Sequence, residues 1–473
     1  MRGPIYADGM SQPPTLAPTL GALRAEGYRT RTVKEEIREN LLTVLRDGGT
    51  AFPGIVGFDD TVVPQLESAL LAGHDLVLLG ERGQGKTRIM RTLGTLLDEW
   101  MPVVDGCEIH DDPAAPVCSR CRRLAAELGD ELPVAWVHRE DRYVEKLATP
   151  DTSVGDLVGD VDPVKVAEGR TLGDPETIHY GLIPRTNRGI FGINELPDLA
   201  ERIQVAMFNV LEERDIQVRG YSLRLPLDLL LVASANPEDY TNRGRIITPL
   251  KDRFGAEIRT HYPTEVSEEV AVIAQEAHLV ADVPEHLLEI LARLARSLRQ
   301  SSSVDQRAGV SARFAIAAAE GVAASALRRA ARTGDEPAVA RVCDVPTVLP
   351  TLLGKLEFEM GEEGREADVV GHLLKVAIAE TFRERLAGLD LSGFAELFAE
   401  GATVETGELV PAQELLGQLD ALPGLSKVLD RLGHGDDANP GHVAAAVELV
   451  LEGMHLTRRI DKQRLDGRTV YGA

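Results

Sequence analysis

The sequence predicts an α/β fold, in which a parallel sheet is covered by helices on both faces and is followed by two helical regions. Short apolar runs alternate with helical segments as far as Pro263, as in a parallel sheet with two covered faces. A glycine-rich loop joins the first of these runs to a helix. After Pro263 the strand patterns fade, and segments such as EHLLEILARLARSLRQ have helical spacing.

The elements follow from local patterns. A helix is predicted over 32–47, because Thr32 and Glu35 fit a capping box and Gly48-Gly49 ends the pattern. Further helices are predicted over 59–73, 86–100 and 199–214, and a hairpin over 215–226. Apolar runs predict buried strands at 74–80, 132–138, 189–194, 227–235 and 256–262. Residues 101–132 and 139–187 are rich in turn-forming residues and are expected to be irregular.

The chain length of 473 residues suggests two or three domains. The expected organisation has four parts, and the second part carries an insert at 101–132. The parts are a leader and helix at 1–50, the α/β core at 51–263, a helical lid at 264–345 and a helical C-terminal region at 346–473.

Composition excludes several classes of function. The net charge of −24 disfavours general binding to nucleic acid or to anionic membranes. The sequence contains no apolar run of about 18 residues, so we expect no membrane span. The Pro-rich N-terminus lacks the apolar centre of a secretory signal. These features favour the cytoplasm.

The loop GERGQGKT at 80–87 matches the phosphate-binding pattern G-x-x-x-x-G-K-[ST] at every position. Its glycines let backbone N–H groups turn toward phosphates at a helix N-terminus. Lysine supplies charge to the β- and γ-phosphates, and threonine offers a hydroxyl to Mg²⁺. The predicted nucleotide-binding residues are Gly80, Glu81, Arg82, Gly83, Gln84, Gly85, Lys86 and Thr87.

A second apolar strand, GIFGINE, ends in polar residues. Glu195 is placed to orient or deprotonate an attacking water. Asn194 offers a neutral carbonyl oxygen beside the Mg²⁺ of a bound ATP, and should hold this ion more weakly than an acid does. An ordinary core strand capped by asparagine is the alternative interpretation.

Three further residues are predicted to act on the nucleotide. Asn236 ends the next strand and is expected to bond the γ-phosphate or position the water, although Asn-Pro is also a common turn. Arg253 is a candidate for the cation that a neighbouring subunit donates to the transferring phosphate. Arg313 opens a helix of the lid. A local ion pair for Arg253 and a solvated position for Arg313 are the alternatives.

The insert contains three of the four cysteines, in CEIHDDPAAPVCSRC. Cys107 and His110 form C-x2-H, and Cys118 and Cys121 form C-x2-C, which together suit one tetrahedral structural zinc. A redox C-x-x-C pair and unrelated thiols are the competing interpretations. Cys343 is expected to be a buried thiol elsewhere.

Together these motifs resemble an AAA+ ATPase, and more narrowly the magnesium-chelatase ATPase subunit and the MoxR group. The resemblance runs from about Phe52 to about residue 330, and is carried by GERGQGKT, YGLIPRTNRGIFGINEL, SANPEDYTNRG and ITPLKDRFG. The family usually has aspartate at the place of Asn194, and the insert at 101–132 is not part of its pattern.

The resemblance implies a role for each candidate residue. Glu195 would be the hydrolytic acid, Asn236 the first sensor, Arg253 the arginine finger and Arg313 the second sensor. It also implies ATP and Mg²⁺, a homo-oligomeric ring that is hexameric by the family likeness, and a partner that carries a von Willebrand A domain. Residues 155–183 would be a helix insertion.

The sequence therefore predicts an Mg²⁺-dependent ATPase that remodels a partner protein or assists metal insertion. One alternative is a scaffold that binds ATP and assembles but hydrolyses little, which Asn194 favours. A transcription activator with an AAA+ ring is a third reading, but the GAFTGA loop of such proteins is absent.

Overall fold

A computed structural model describes residues 16–168, 177–213, 216–218, 221–223, 225–237, 246–305, 309–418, 424–435, 439–465 and 468–472. These residues form two compact units. Unit 1 contains the described residues up to 55 together with 59–80 and 85–260, and unit 2 contains 56–58, 81–84 and the described residues from 261 onward. The first 15 residues of the predicted leader lie outside the described residues, and so do residues 238–244 of the SANPEDYTNRG motif.

A five-stranded parallel sheet forms the centre of unit 1. The strands of the unit are β1 Leu76–Leu79, β2 Trp100–Val104, β3 Val134–His138, β4 Tyr143–Leu147, β5 Gly159–Val161, β6 Ile178–Tyr180, β7 Gly189–Asn194, β8 Ile216–Val218, β9 Tyr221–Leu223, β10 Leu229–Ala235 and β11 Ala256–Arg259. The order in the central sheet is β11-β1-β10-β7-β4, and every neighbouring pair in it is parallel. All residues of β1, β7 and β10 are buried, as expected of inner strands covered on both faces.

Capping residues mark the ends of two long helices of unit 1. Thr32 forms the predicted capping box with Glu35, and Gly73 ends the next long helix in the left-handed conformation, with φ 74°. The helices are Leu20–Ala25, Val33–Arg46, Val62–Ala72, Lys86–Thr92, Ser119–Leu128, Val154–Leu157, Pro163–Ala167, Leu182–Arg185, Glu201–Glu213 and Thr248–Arg253. Residues 169–176 of the predicted insertion at 155–183 lie outside the described residues.

Two expectations about the core were wrong. The helix predicted over 86–100 ends at Thr92, and β2 starts at Trp100. The strand predicted at 132–138 pairs antiparallel with β2 rather than joining the main sheet, and every residue of β3 is only half-buried. The parallel strand is instead β4, in the stretch predicted to be irregular. It is an edge strand with partly exposed residues, so its sequence YVEKL lacks the apolar run of an inner strand.

Unit 2 is built on helices, as the sequence predicts. Its helices are Val266–Glu276, Glu285–Gln300, Ala312–Thr333, Val345–Leu352, Glu366–Arg385, Ser392–Ala399, Ala412–Gly417, Leu425–Arg431 and Pro440–Leu456. They share one apolar core that extends from Ile273 to Tyr471. A small antiparallel sheet in this unit was not predicted. Its strands are β12 Val404–Thr406, β13 Asp461–Leu465 and β14 Arg468–Gly472, and their order is β12-β14-β13.

The fold class predicted from sequence is thus confirmed, with a helix-covered parallel sheet followed by a helical region. Within the described residues, no helix has both the length and the apolar character needed to cross a membrane.

Candidate nucleotide and metal sites

The predicted nucleotide site lies at the carboxyl edge of the parallel sheet. Strands β1, β10 and β7 are neighbours that run in the same direction. Gly80, Asn236 and Glu195 follow directly after these three strands. Because ligands of open α/β sheets bind outside the carboxyl ends of the strands, this edge is where the sequence motifs are expected to act.

The phosphate loop has the backbone that its pattern requires. Gly83 and Gly85 have φ of 77° and 73°, a region that side-chain-bearing residues adopt only with strain. The helix Lys86–Thr92 starts directly after Gly85. The ammonium of Lys86 is buried, and it donates to the carbonyl of Gly80 and, over 2.8 Å, to Oδ1 of Asn236.

Asn236 connects this lysine to the predicted hydrolytic acid. Its Nδ2 donates to Oε2 of Glu195 over 2.6 Å. Glu195 itself has φ 56°, which is uncommon for a residue other than glycine and typical of functional sites. Its backbone N–H donates to the hydroxyl of Ser234 over 3.2 Å. The structure therefore brings Lys86, Asn236 and Glu195 into one hydrogen-bonded chain.

Several side-chain oxygen atoms that could bind a metal ion lie around Asn194. Oδ1 of this buried amide accepts from the hydroxyl of Ser234 over 3.0 Å and from that of Thr87 over 3.3 Å. Its Nδ2 donates to Oε1 of Glu145 over 2.6 Å. Hydroxyl, carbonyl and carboxylate oxygens are the ligand types that Mg²⁺ prefers. The residues at this place therefore fit the ion that accompanies ATP.

Sequence reasoning missed Glu145, because β4 was not predicted. The alternation in YVEKL was the available signal, since Tyr143, Glu145 and Leu147 occupy one face of a strand.

Arg253 is the last residue of its helix. It forms an ion pair with Glu212 and lies over the ring of Phe208, with the guanidinium carbon 4.3 Å from the ring centre. Both contacts are made with the helix Glu201–Glu213 of the same chain. The structure therefore shows the local ion pair, and the acid involved is Glu212 rather than the adjacent Asp252.

Arg313 lies in unit 2, in the first turn of the helix Ala312–Thr333, and is exposed. The preceding Ser311 caps that helix by accepting from the N–H of Arg313 over 3.2 Å. Ser311 also lies against the loop residue Gly83, where an added Cβ would come 2.0 Å from the serine hydroxyl. The start of this helix therefore contacts the tip of the phosphate loop.

The three cysteines of the insert come together as predicted. The sulfurs of Cys107, Cys118 and Cys121 and a carboxylate oxygen of Asp111 all lie within 4.8 Å of one another. Cys118 accepts from the N–H of Cys121 over 3.3 Å at the start of the helix Ser119–Leu128. Hydrogen bonds from the thiols of Cys118 and Cys121 lower the pKa of Cys107. A thiolate is the form of cysteine that binds a metal.

The fourth member of this group differs from the sequence prediction. His110 is not in it, and its place is taken by Asp111. Oδ2 of this buried carboxylate accepts from the N–H of Cys118 over 2.9 Å, while Oδ1 is buried without a hydrogen-bond partner. His110 has φ 52°, and its Nδ1 is also buried without a partner. Burial raises the pKa of Asp111 and lowers that of His110.

The insert is fixed to the amino end of β7. The side chain of Arg188 donates to the carbonyl of Pro102 over 2.7 Å, and that of Asn187 donates to the carbonyl of Ile109 over 3.0 Å. Asn194 lies at the opposite end of this strand, about 16 Å away at about 3.3 Å per residue. The contacts that anchor the insert therefore lie at the opposite end of β7 from Glu195.

Comparison with known proteins yields structural likeness only. No protein-family model and no curated protein matches the chain. Similar solved structures include a candidate ATPase from Cytophaga hutchinsonii (14% identity over 74% of this chain and 97% of that one, TM-score 0.32). Another is a complex of the magnesium chelatase subunits BchI and BchD (23% identity, 67% and 98% covered, TM-score 0.36). A third is NtrX from Brucella abortus (14% identity, 76% and 69% covered, TM-score 0.39).

NtrX is also among the similar structures as complexes with ADP and with ATP. The chelatase complex belongs to the class of protein that the sequence motifs resemble. All of these TM-scores lie below 0.5, so the roles of residues in this chain have to follow from its own geometry.

Proposed function

We propose that the protein is an AAA+ ATPase of the magnesium-chelatase and MoxR type, which hydrolyses ATP to remodel a partner protein or to assist metal insertion. The observation that carries the proposal is the hydrogen-bonded chain from Lys86 through Asn236 to Glu195, at the carboxyl ends of β1, β10 and β7. In this chain the amide of Asn236 makes one hydrogen bond to the ammonium of Lys86 and another to the carboxylate of Glu195.

The residues divide the chemistry as follows. The loop N–H groups and Lys86 bind the β- and γ-phosphates. Glu195 accepts a proton from the attacking water or orients it, and Asn236 fixes the direction of that carboxylate. Thr87 and Asn194 would hold Mg²⁺, which when bound neutralises charge on the phosphates. Burial of Lys86 and Asn194 limits the access of water to these contacts.

Two arginines complete the proposed site. Arg253, on the surface that includes Glu212 and Phe208, is proposed to reach the nucleotide of a neighbouring subunit in a homo-oligomeric ring. Arg313 is proposed as the arginine of the lid, as the sequence resemblance implies. A hexameric ring, a partner with a von Willebrand A domain and a location in the cytoplasm belong to the same proposal and rest on the sequence resemblance.

The test is steady-state ATP hydrolysis by the purified protein with Mg²⁺, beside Glu195→Gln and Lys86→Ala. Glu195→Gln keeps the shape of the side chain but removes its basicity. This variant should bind ATP, and its hydrolysis should be slower than that of wild type by a factor of about a hundred or more. Lys86→Ala should lose ATP binding. Turnover that persists in Glu195→Gln would contradict the assigned role of this residue.

A second function, that of a nucleotide-gated scaffold, is favoured by the neutral side chain at Asn194. It predicts that the wild type binds ATP and assembles but shows no turnover, with or without added partner. Sedimentation velocity with and without ATP, measured beside the hydrolysis assay, separates the two functions.

We also propose that the insert binds one structural zinc through Cys107, Cys118, Cys121 and Asp111. The closeness of these four donor atoms and the unpartnered Oδ1 of Asp111 support this ligand set. Metal analysis should find about one zinc per chain, and none in the double variant Cys118→Ser, Cys121→Ser.

The fourth ligand is identified by comparing Asp111→Asn with His110→Gln. Asp111→Asn should release zinc to a colorimetric chelator much faster than wild type, whereas His110→Gln should behave like wild type. The opposite order would restore the histidine predicted from sequence. A well-folded, zinc-free wild type in which two thiols oxidise reversibly would instead favour a redox pair.

A further inference from the structure

An asparagine beside a magnesium ion has a problem that an aspartate does not have. A carboxylate presents two equivalent oxygens, whereas the amide of asparagine has one carbonyl oxygen and one NH₂ group that only donates. A half-turn of the Asn194 amide would therefore direct an NH₂ group, which cannot serve as a metal ligand, at the hydroxyl of Thr87. Asn194 can serve this place only if something fixes its orientation.

Glu145 fixes that orientation. Its Oε1 accepts from Nδ2 of Asn194 over 2.6 Å. The carbonyl oxygen of the amide consequently faces the hydroxyls of Thr87 and Ser234, at 3.3 and 3.0 Å. A carboxylate cannot donate a hydrogen bond when it is ionised, so it accepts only the NH₂ side of the amide.

The register of the sheet explains how Glu145 reaches Asn194. Glu145 is paired with Gly192, and Leu147 is paired with Asn194. Gly192 has no side chain, and a Cβ added there would come 3.0 Å from the hydroxyl of Tyr143. That hydroxyl occupies the space over the glycine and donates to Oε2 of Glu145 over 3.2 Å.

Arg91 completes the arrangement from the helix of the phosphate loop. It lies four residues after Thr87, on the same helix face. Its Nε and Nη2 donate to the two oxygens of Glu145 over 2.8 and 3.1 Å. The side chain of Glu145 is 21% exposed and that of Arg91 is 65% exposed, so this pair is reachable by solvent and contributes little to stability.

We infer that Glu145 is a positioning residue for the magnesium ion of the nucleotide site, and that it acts from β4 on the amide of Asn194 on β7. The inference rests on the proposed function, since the ion is the one that accompanies ATP. Glu145 acts through Asn194, whose carbonyl oxygen it directs toward Thr87.

The arrangement predicts how exchanging the two side chains will behave. In Glu145→Gln, the new amide carries an NH₂ group beside its oxygen and can offer either group to Asn194, so it no longer selects the NH₂ side of that residue. In Asn194→Asp, two carboxylates come to the 2.6 Å contact that the amide now makes. In the double variant, Gln at 145 donates to Asp at 194 and accepts from Arg91, so both partners are satisfied again.

The experiment measures binding of Mn²⁺ as the metal probe, by electron paramagnetic resonance, to protein saturated with a non-hydrolysable ATP analogue. Affinity for a fluorescent ATP analogue in EDTA is measured on the same samples. In Glu145→Gln and in Glu145→Leu the affinity for Mn²⁺ should fall by a factor of about ten or more, as it does when other groups that orient metal ligands are removed. The double variant should return to within about threefold of wild type. Metal-free nucleotide affinity should stay unchanged in Glu145→Gln and Glu145→Leu.

Glu140→Gln is the matched control, because it removes the same charge from the exposed segment just before β4. It should leave Mn²⁺ affinity as in wild type. If Glu145→Gln and Glu145→Leu bind Mn²⁺ as tightly as wild type while nucleotide binding is intact, the inference is wrong and the proposed function stands. If the wild type binds no nucleotide, the proposed function fails and the inference falls with it. Equal loss in the double variant and in Glu145→Gln would also overturn it.

Discussion

Asn236 is the residue whose removal tests the proposed catalytic chain most directly. Its amide donates to Glu195 over 2.6 Å and accepts from Lys86 over 2.8 Å. Asn236→Ala removes both contacts and leaves the carboxylate of Glu195 free to rotate away from the water it should orient. A hydrogen bond to a charged group contributes about 1.5–3 kcal/mol.

The loss is expected in the chemical step. If the whole contact to Glu195 matters only in the transition state, the activation free energy rises by about 2–3 kcal/mol, which corresponds to about a hundredfold in kcat. The dissociation constant for nucleotide should change by less than about threefold, because Lys86 and the loop N–H groups still bind the phosphates.

The assay compares kcat from steady-state hydrolysis with the dissociation constant for a fluorescent ATP analogue. Asn40→Ala is the control, because it also removes an amide that makes two hydrogen bonds, to Leu96 and Asp98 in the same unit. The control should lower the melting temperature without lowering kcat. A kcat for Asn236→Ala within threefold of wild type would refute the reasoning, as would equal losses in affinity and in turnover.

Three further predictions concern stability. Glu36→Gln should destabilise the protein by about 3 kcal/mol in urea unfolding, because it leaves the buried guanidinium of Arg142 without its paired carboxylate; a loss below about 0.5 kcal/mol would contradict this. Gly189→Ala should cost about 1–3 kcal/mol, since a Cβ would come 2.2 Å from the carbonyl oxygen of Arg142, and an unchanged unfolding midpoint would contradict it. Burial lowers the pKa of His286 to about 3, so the folded state binds fewer protons than the unfolded state below about pH 6.5. Stability should therefore fall as pH drops from about 6.5 toward 3. His286→Leu should make stability less dependent on pH in this range, and an unaltered pH dependence would exclude His286 as its cause.

The candidate site divides into parts that the sequence predicted and parts that it did not. The phosphate loop could be predicted because its glycines, lysine and threonine lie within eight consecutive residues. Glu195 and Asn236 could be predicted because each directly follows an apolar run that forms an inner strand. Glu145 could not be predicted, because an edge strand with partly exposed residues has no apolar run in its sequence.

The cysteine insert shows the same division. Its spacing predicted that Cys107, Cys118 and Cys121 would meet, and they do. The fourth donor depends on the backbone angle of a single residue. With φ 52° at His110, the structure brings the carboxylate of Asp111 to the sulfurs, and the imidazole is not in that group.

The sequence by itself determined the fold class and the identity of the phosphate loop, because hydrophobic periodicity and short motifs act locally along the chain. Only the tertiary structure decided which side chains meet across strands. The contact of Asn194 with Glu145 joins residues 49 positions apart, and it depends on the order of β7 and β4 and on their register. Pairing of strands is set by the packing of the whole sheet, so no local pattern records it.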